Sequence, residues 1–231
     1  PTTTEFANPD GGGFNTNLDP AQALHREFGV RGQTRHGSVF SAALYRIDVQ
    51  DELLPFELAT NPGRDFFENA GSSDRQGIEL AFKRQWSGGL SLQLMHTLSD
   101  FRFDQFVTDD GDDFSGLRTP GNARHRSFIA LRRDIGDGRF AAVEAVRFGR
   151  VPVNNANDTF TDSYLLVNLR AGWQWQSGAW RYTPFFAINN LFDVDYVANT
   201  RINAFGGRFF ESGPDRSVYL GIKAAFRAPG D

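Results

Sequence analysis

Cysteine is absent from the 231 residues, which excludes a disulfide framework and thiolate metal sites. That absence is compatible with passage through an oxidising compartment. No run of about 18 apolar residues occurs, so no helix is predicted to cross a bilayer. Lysine is confined to Lys83 and Lys223, and the net charge of −4 supplies no basic stripe for nucleic acid. A basic segment followed by an apolar core is missing from the opening "PTTTEFANPDGGGFNTNLDP". That stretch is no signal peptide; it reads as the middle of a polar loop, and the chain is expected to start inside a larger protein. A helical 3.6-residue period is missing as well.

None of these absences excludes a barrel in a membrane. A barrel strand needs only about 10 residues with every second one apolar, so its mean hydropathy lies near or below zero. Composition alone leaves the choice between soluble and membrane β-protein open.

What is present is phenylalanine (23), glycine (24), abundant arginine and a period of two. In "LSLQLMHTL", Leu90, Leu92 and Leu94 share a face. In "YLLVNLRAGWQW", Leu165, Val167, Leu169, Ala171, Trp173 and Trp175 do so, and in "SVYLGIKAAF" Val218, Leu220, Ile222, Ala224 and Phe226. Such alternation predicts strands. Nine are expected, near 22–32, 38–50, 73–84, 89–103, 124–133, 139–150, 163–176, 180–190 and 216–226.

The connections alternate between two classes. Short glycine turns ("QTRHG", "QWSGG", "DIGDG", "QSG") suit hairpins. Long segments fill 51–72, 104–123, 151–162 and 191–215. Short–long alternation is the plan of an all-β, antiparallel, up-and-down transmembrane barrel, with tight turns inside and long loops outside. The apolar face of the last strand is then expected to meet lipid, with Ser217, Tyr219 and Lys223 on a polar lumen. Phe101, Phe103, Trp173, Trp175, Tyr182 and Tyr196, near strand ends, are expected in interfacial girdles. Bacterial single-chain barrels have even strand numbers, so nine strands imply continuation before Pro1 or a missed strand.

Few residues invite chemistry. "TDDGDDF" concentrates Asp109, Asp110, Asp112 and Asp113, but lacks the EF-hand order and its final Glu, and reads as a solvated loop tip. "HRS" puts His125 and Ser127 on one strand face, as an outer-membrane phospholipase does; a triad also needs an acid or amide beside the histidine. His25, His36 and His96 are scattered without zinc spacing, and "GGGF" lacks the context of a phosphate cradle. No catalytic, metal or cofactor site is assigned.

Four stretches carry a family resemblance. "FFAINNLFDVDYVANT", followed by "GPDRSVYLGIKAAF", resembles the C-terminal end of TonB-dependent outer-membrane receptors, where an N-N-L-F-D-x-x-Y run closes the penultimate strand. Asp215 stands at the usual Gly position of the family's P-G-R stretch, and "RAPGD" follows Phe226 where members usually end. "FFENAGSSDRQGIELAF" is similar to the family's N-A-G-x5-G-x-E-L segment, and "RTPGNARHRSFIAL" to its x-P-x4-H strand start. The resemblance spans about Leu18 to Phe226.

The resemblance implies a barrel of about 22 strands around a plug, of which this chain is about the last nine. The organisation expected is an external loop over 1–21, strands and loops over 22–226, and an extension over 227–231, with the plug outside this chain. It implies a non-enzymatic receptor of the Gram-negative outer membrane, energised by TonB-ExbB-ExbD through a missing N-terminal part. The cargo expected is a ferric siderophore or other iron chelate; cobalamin and oligosaccharide stay open. Arg64, Phe66, Phe67, Arg118, Phe160, Arg201, Phe205, Arg208 and Phe209 are candidate ligand contacts, arginine and aromatics suiting an anionic chelate. Arg170 and Lys223 are expected in the lumen, facing plug carboxylates. Asn189, Asn190, Leu191, Phe192, Asp193, Tyr196, Gly221 and Phe226 are read as structural rim and assembly positions, with lipids and lipopolysaccharide as neighbours. If Pro1 is a natural start, a small channel without a plug is the alternative; a phospholipase using His125 and Ser127, or a soluble interaction domain, comes behind it.

Overall fold

A computed structural model describes residues 5–108 and 111–226, the side chain at position 70 apart. The strands are β1 (Gln22–Gln33), β2 (Val39–Glu57), β3 (Asp65–Gln85), β4 (Leu90–Gln105), β5 (His125–Gly136), β6 (Arg139–Phe148), β7 (Tyr164–Gly172), β8 (Trp175–Ser177), β9 (Trp180–Asn189), β10 (Val197–Thr200), β11 (Phe210–Ser212) and β12 (Ser217–Phe226). Ten of them form one antiparallel sheet in the order β1-β2-β3-β4-β5-β6-β7-β9-β12, with β8 beside β9. Neighbours in sequence are neighbours in space, so the sheet is a meander. Among the described residues no helix is long and apolar enough to cross a membrane.

The short turns are built from residues that tolerate left-handed backbone. Asp137 (φ 49°) and Gly138 (φ 70°) give the paired positive angles of a type I′ hairpin between β5 and β6. The same hand at Gly37, Gly89 and Gly178 closes the other three turns.

Register sorts the two faces. Phe28, Leu44, Ile78 and Leu98 lie side by side across β1 to β4, and Val30, Ala42 and Leu80 one row along. Farther round, Leu131, Val143 and Leu169 align, then Ile188 and Val218, then Phe186 and Leu220. Leu220 is 81% exposed, which places this apolar face against lipid rather than water. The opposite face carries His25, Glu27, Glu79, Lys83, Glu144, Arg170 and Lys223, the polar lining of a lumen.

Charged rows bound the apolar band. On the long-loop side Arg26 pairs with Asp48 at 2.6 Å, and Arg46 bridges Asp48 and Asp74. On the short-turn side Arg84 lies 4.9 Å over the Trp86 ring. From Asp74 to Arg84 is about ten residues of tilted strand, roughly the 25 Å of an apolar barrel band.

Three expectations need correction. The connection expected over 51–72 is mostly strand, because β2 runs on to Glu57 and β3 begins at Asp65. The hairpin kinks where Asp51 (φ 53°) lies opposite Gly71 (φ 31°); a Cβ on Gly71 would sit 2.0 Å from the Gln105 carbonyl oxygen. The strand expected over 163–176 breaks at Trp173 and Gln174, although β7 and β8 keep one register against β9. The aromatic girdle is narrower than expected. Trp173, Trp175, Tyr182, Trp180 and Phe226 form a continuous lipid-facing stack with centroids 5.2–6.3 Å apart. Phe101, Phe103 and Tyr196 instead face inward: Phe101 meets Tyr45 and Arg75, Phe103 is 1% exposed beneath a loop, and Tyr196 packs on Tyr164.

Candidate functional site

The long connections gather at one end of the sheet. Residues 106–108 and 111–124 fold back on β4, where Phe103, Phe106 and Leu54 form a small buried core with Phe114 and Leu117 against it. Phe103 and Phe106 rings lie 4.9 Å apart, and the Phe103 amide donates to the Leu117 carbonyl at 3.0 Å. The next connection buries Val151, Pro152 and Val153, and the last folds into the β10–β11 hairpin with a 3-10 turn at Phe205–Gly207.

Two asparagines in left-handed backbone stitch these loops together. Asn157 (φ 55°) accepts from the Arg118 amide at 2.9 Å and donates to the Arg118 carbonyl at 2.8 Å. Asn203 (φ 51°) donates to the Pro55 carbonyl at 3.0 Å, accepts from the Asn155 amide, and its own amide bonds the Val153 carbonyl. One residue thereby ties three connections.

At the centre sits Glu57, its side chain 1% exposed. It accepts from the Gly63 amide at 3.1 Å and from Arg208 at 2.9 Å, and Arg201 lies 2.7 Å from its other oxygen. Burial works to raise this carboxyl, but the Gly63 N–H and the charges of Arg201 and Arg208 outweigh it and hold the group below its ordinary value. Arg201 also comes within 3.7 Å of Asp65.

Around this centre the structure assembles six of the candidate ligand contacts, Arg64, Phe66, Phe67, Arg201, Phe205 and Arg208. Arg64 stands 5.2 Å over the Phe66 ring and has no ion pair among the described residues; Phe66 itself is 1% exposed. Arg201 and Arg208 hold Glu57, and Phe205 is exposed on the 3-10 turn. A cavity of about 570 Å³ opens beside them, lined by Phe6, Phe14, Arg64, Asp65 and Phe67. Phe209 sits edge-on to Phe210 in the same hairpin. Arg118 and Phe160 lie one loop away. Burial lowers the Arg118 guanidinium from its ordinary value, against the pull of Asp100, and Arg118 donates to the Asn122 carbonyl at 3.0 Å. Arg150 covers the Phe160 ring at 4.8 Å. Glu57, Asn157, Asn203 and the aromatic pair Phe6–Phe14 escaped the sequence reading. The one signal was an acid set in aromatic sequence before "NPG", the turn that brings Gly63 back to it.

In the acidic stretch, Asp113 is held below its ordinary value by the Ser115 hydroxyl and amide; Asp109 and Asp110 lie outside the described residues. No group of three potential metal ligands occurs among the described residues. The His125–Ser127 couple, set behind the receptor reading in the sequence, does not form. Ser127 is directly opposite His96 and bonds its Nδ1 at 2.8 Å, leaving His125 only a ring contact at 5.8 Å. Among the described residues no acid or amide side chain bonds either ring, so the arrangement is no triad.

The rim motif explains itself. Asn190 (φ 51°, 4% exposed) accepts from the Val194 amide at 2.9 Å and donates to the Val194 and Pro214 carbonyls. Its amide reaches Asn168 of β7 at 3.0 Å. Asp193 accepts from the Arg216 amide at 2.8 Å, Leu191 donates to the Val167 carbonyl, and Phe192 stays 66% exposed. Tyr196 lies over Gly213, and Phe185 over Gly221, where a side chain would clash. Asn189 pairs with Ser217 across the last two strands. Asn69 plays a matching part upstream, donating to the carbonyls of Asp19 and Asp51 beside the kink.

The chain as a whole is similar to known proteins. The Ferrioxamine B receptors of two Salmonella typhimurium strains are 27% identical over 97% of this chain. The chain spans about 30% of their length. The fold is shared with the siderophore receptor PiuA of Acinetobacter baumannii (TM-score 0.72, 18% identity, 90% of this chain and 29% of that one). It is shared too with the ferric yersiniabactin uptake receptor FyuA of Yersinia pestis (TM-score 0.66, 21% identity, 88% and 29%). The family model described as "TonB dependent receptor-like, beta-barrel" matches residues 1–191, and with the lipid-facing band and the alternation of short turns and long loops this makes the chain a member of that outer-membrane barrel family.

Proposed function

We propose that this chain is the C-terminal wall and external loop cluster of a receptor that imports an iron chelate across the outer membrane with energy from TonB. The observation that carries the reading is the cluster itself: Arg64 and Phe67 line a cavity at the long-loop end, Arg64 stands over the Phe66 ring, and Arg201 and Arg208 hold Glu57, whose partner Gly63 also lines that cavity. Guanidinium forks and ring faces are what an anionic, aromatic-bearing ferric chelate engages. The relatives named above, receptors for ferrioxamine B and ferric yersiniabactin, support the same cargo class.

The remainder of the assignment follows from this reading. The whole receptor has about 22 strands around a plug, and contacts TonB-ExbB-ExbD through parts outside this chain. Arg170 and Lys223, on the polar face, meet plug carboxylates. Residues 1–21 belong to an external loop, 22–226 to the wall, and 227–231 to an extension. No bond is made or broken; the wall orients and the loops select.

The test uses the full-length receptor in detergent, titrated with ferric ferrioxamine B, a ferric catecholate and cobalamin while intrinsic tryptophan fluorescence is followed. A ferric chelate is expected to bind, and the Arg201→Ala/Arg208→Ala double variant to bind it about tenfold or more weakly. Binding of cobalamin alone, or unchanged chelate affinity in the double variant, overturns the reading.

A further inference from the structure

Beside the cavity at Arg64 lies a second, of about 450 Å³, and the two share Phe14 and Phe67 as a common ridge. Phe14 is 69% exposed, although its backbone bridges to Ala7 and its ring meets Phe6 edge-on at 6.3 Å. The segment that carries it is pinned at both ends. The Asn15 amide donates to the Phe6 carbonyl at 2.7 Å, and the Asp19 amide donates to the Asn69 side chain on β3 at 2.9 Å. The walls of both cavities are therefore held by the fold itself.

The two cavities differ in chemistry. Arg64 lines the first; no lysine or arginine is among the described residues lining the second, where Asp10 and Glu68 supply acceptors. An anion is disfavoured there. The other polar groups include the amides of Asn8, Asn15 and Asn17 and the Thr16 hydroxyl. The Oδ1 atoms of Asn8 and Asn15 accept from the Asp10 and Asn17 backbone amides at 3.0 and 3.1 Å, so their Nδ2 hydrogens are what each has left to offer. Thr16 and Asn17 make no side-chain hydrogen bond among the described residues. Phe56 and Phe67 add aromatic rings. A ligand filling this cavity must donate to carboxylates, accept from amides, carry no negative charge and pack against rings. A chain of amides does all of this, since each unit holds a donor and an acceptor in one plane. We propose that the cargo straddles the Phe14–Phe67 ridge, its anionic chelate beside Arg64 and an uncharged, amide-bearing arm in the second cavity. The proposal deepens the iron-chelate reading and rests on it.

The test is isothermal titration calorimetry of the full-length receptor in detergent with three synthetic ferric tris-catecholates. They are alike except for one arm of equal length: a triglycinamide, an alkyl chain, or a chain ending in carboxylate. The amide arm is expected to bind about tenfold more tightly than the alkyl arm, and the carboxylate arm most weakly. Thr16→Val/Asn17→Ala takes a hydroxyl and an amide from the cavity without removing a side-chain hydrogen bond from the fold. It should bring the amide and alkyl arms within about twofold of each other. Gel mobility before boiling reports that the variant is folded. Equal affinity for the amide and alkyl arms in the parent receptor, needing no variant, overturns the proposal and leaves the cargo reading standing, because the chelate still binds. An undiminished amide preference in the folded double variant overturns it too. Failure of all three chelates to bind overturns both.

Discussion

The wall and the loop cluster are held by different physics. Across the wall, each strand offers one apolar face to lipid and one polar face to the lumen, and stability is spread over many equivalent rows. In the loops a few residues do most of the joining: Asn157, Asn203, Glu57 and the Phe103–Phe106 core. A distributed structure tolerates change according to face, whereas a concentrated one tolerates change according to position.

The sharpest break in that contrast is a pair of neighbours on β3. Leu80→Arg puts a charge on the lipid face, at a cost of about 2–4 kcal/mol near the bilayer midplane. Ala81→Arg puts the same charge on the lumen face one residue on. The first should abolish the folded, heat-modifiable band of the full receptor on gels, and the second should keep it. Equal behaviour would mean that the faces have been assigned wrongly.

Gly71→Ala comes next, since it meets the Gln105 carbonyl in a left-handed backbone; about 2–3 kcal/mol is expected, read as a lower urea midpoint. Unchanged urea resistance would show that the kink relaxes freely. Asn190→Ala removes the clasp between β7, the rim turn and Pro214, with about 2 kcal/mol lost, while Asn189→Ala should cost less.

The smallest effect sharpens rather than breaks the contrast. Glu57→Gln leaves Arg208 without a counter-charge and Arg201 with Asp65 alone, but both arginines are partly exposed, so about 1–2 kcal/mol of loop order is expected, with the barrel untouched. Acid should act the same way. The Glu57 carboxyl is held below its ordinary value, so its contribution is complete above the ordinary carboxylate range and disappears as pH falls through the lowered folded value. Protection of the Gly63 amide against hydrogen exchange, relative to its intrinsic rate at each pH, should therefore fall in acid in the parent receptor and be low at all pH in Glu57→Gln. A Gly63 amide equally protected in both would remove Glu57 from the centre of the cluster.

Legibility followed the solvent. Where a strand lies between lipid and lumen, alternation is enforced, and Leu90 to Leu98 or Ser217 to Phe226 could be read directly. Above the membrane that constraint lapses. The extension "DELLPFE" of β2 and its partner "DFFENAG" carry no alternation, and they read as loop although they pair in register. The four- and three-residue strands β10 and β11 are too short to show a period. Arginine and phenylalanine in the loops were visible by composition. Their common partner was not: Glu57 lies 151 positions from Arg208, and nothing local in the sequence marks the pairing. The tryptophans were placed on the correct face, but Phe101 and Phe103 were not, since a ring at a strand end looks the same whether it meets headgroups or a folded loop.

The triple tie at Asn203 has a dynamic consequence. Loops joined through a single side chain do not sample conformations independently; displacing one requires releasing the others, so the cluster opens as a unit or not at all. Most of the conformational freedom of these segments is then lost during folding, before any solute arrives. A solute meeting such a surface is selected by the fit of a preformed shape, with fast arrival, and discrimination expressed in how long it stays.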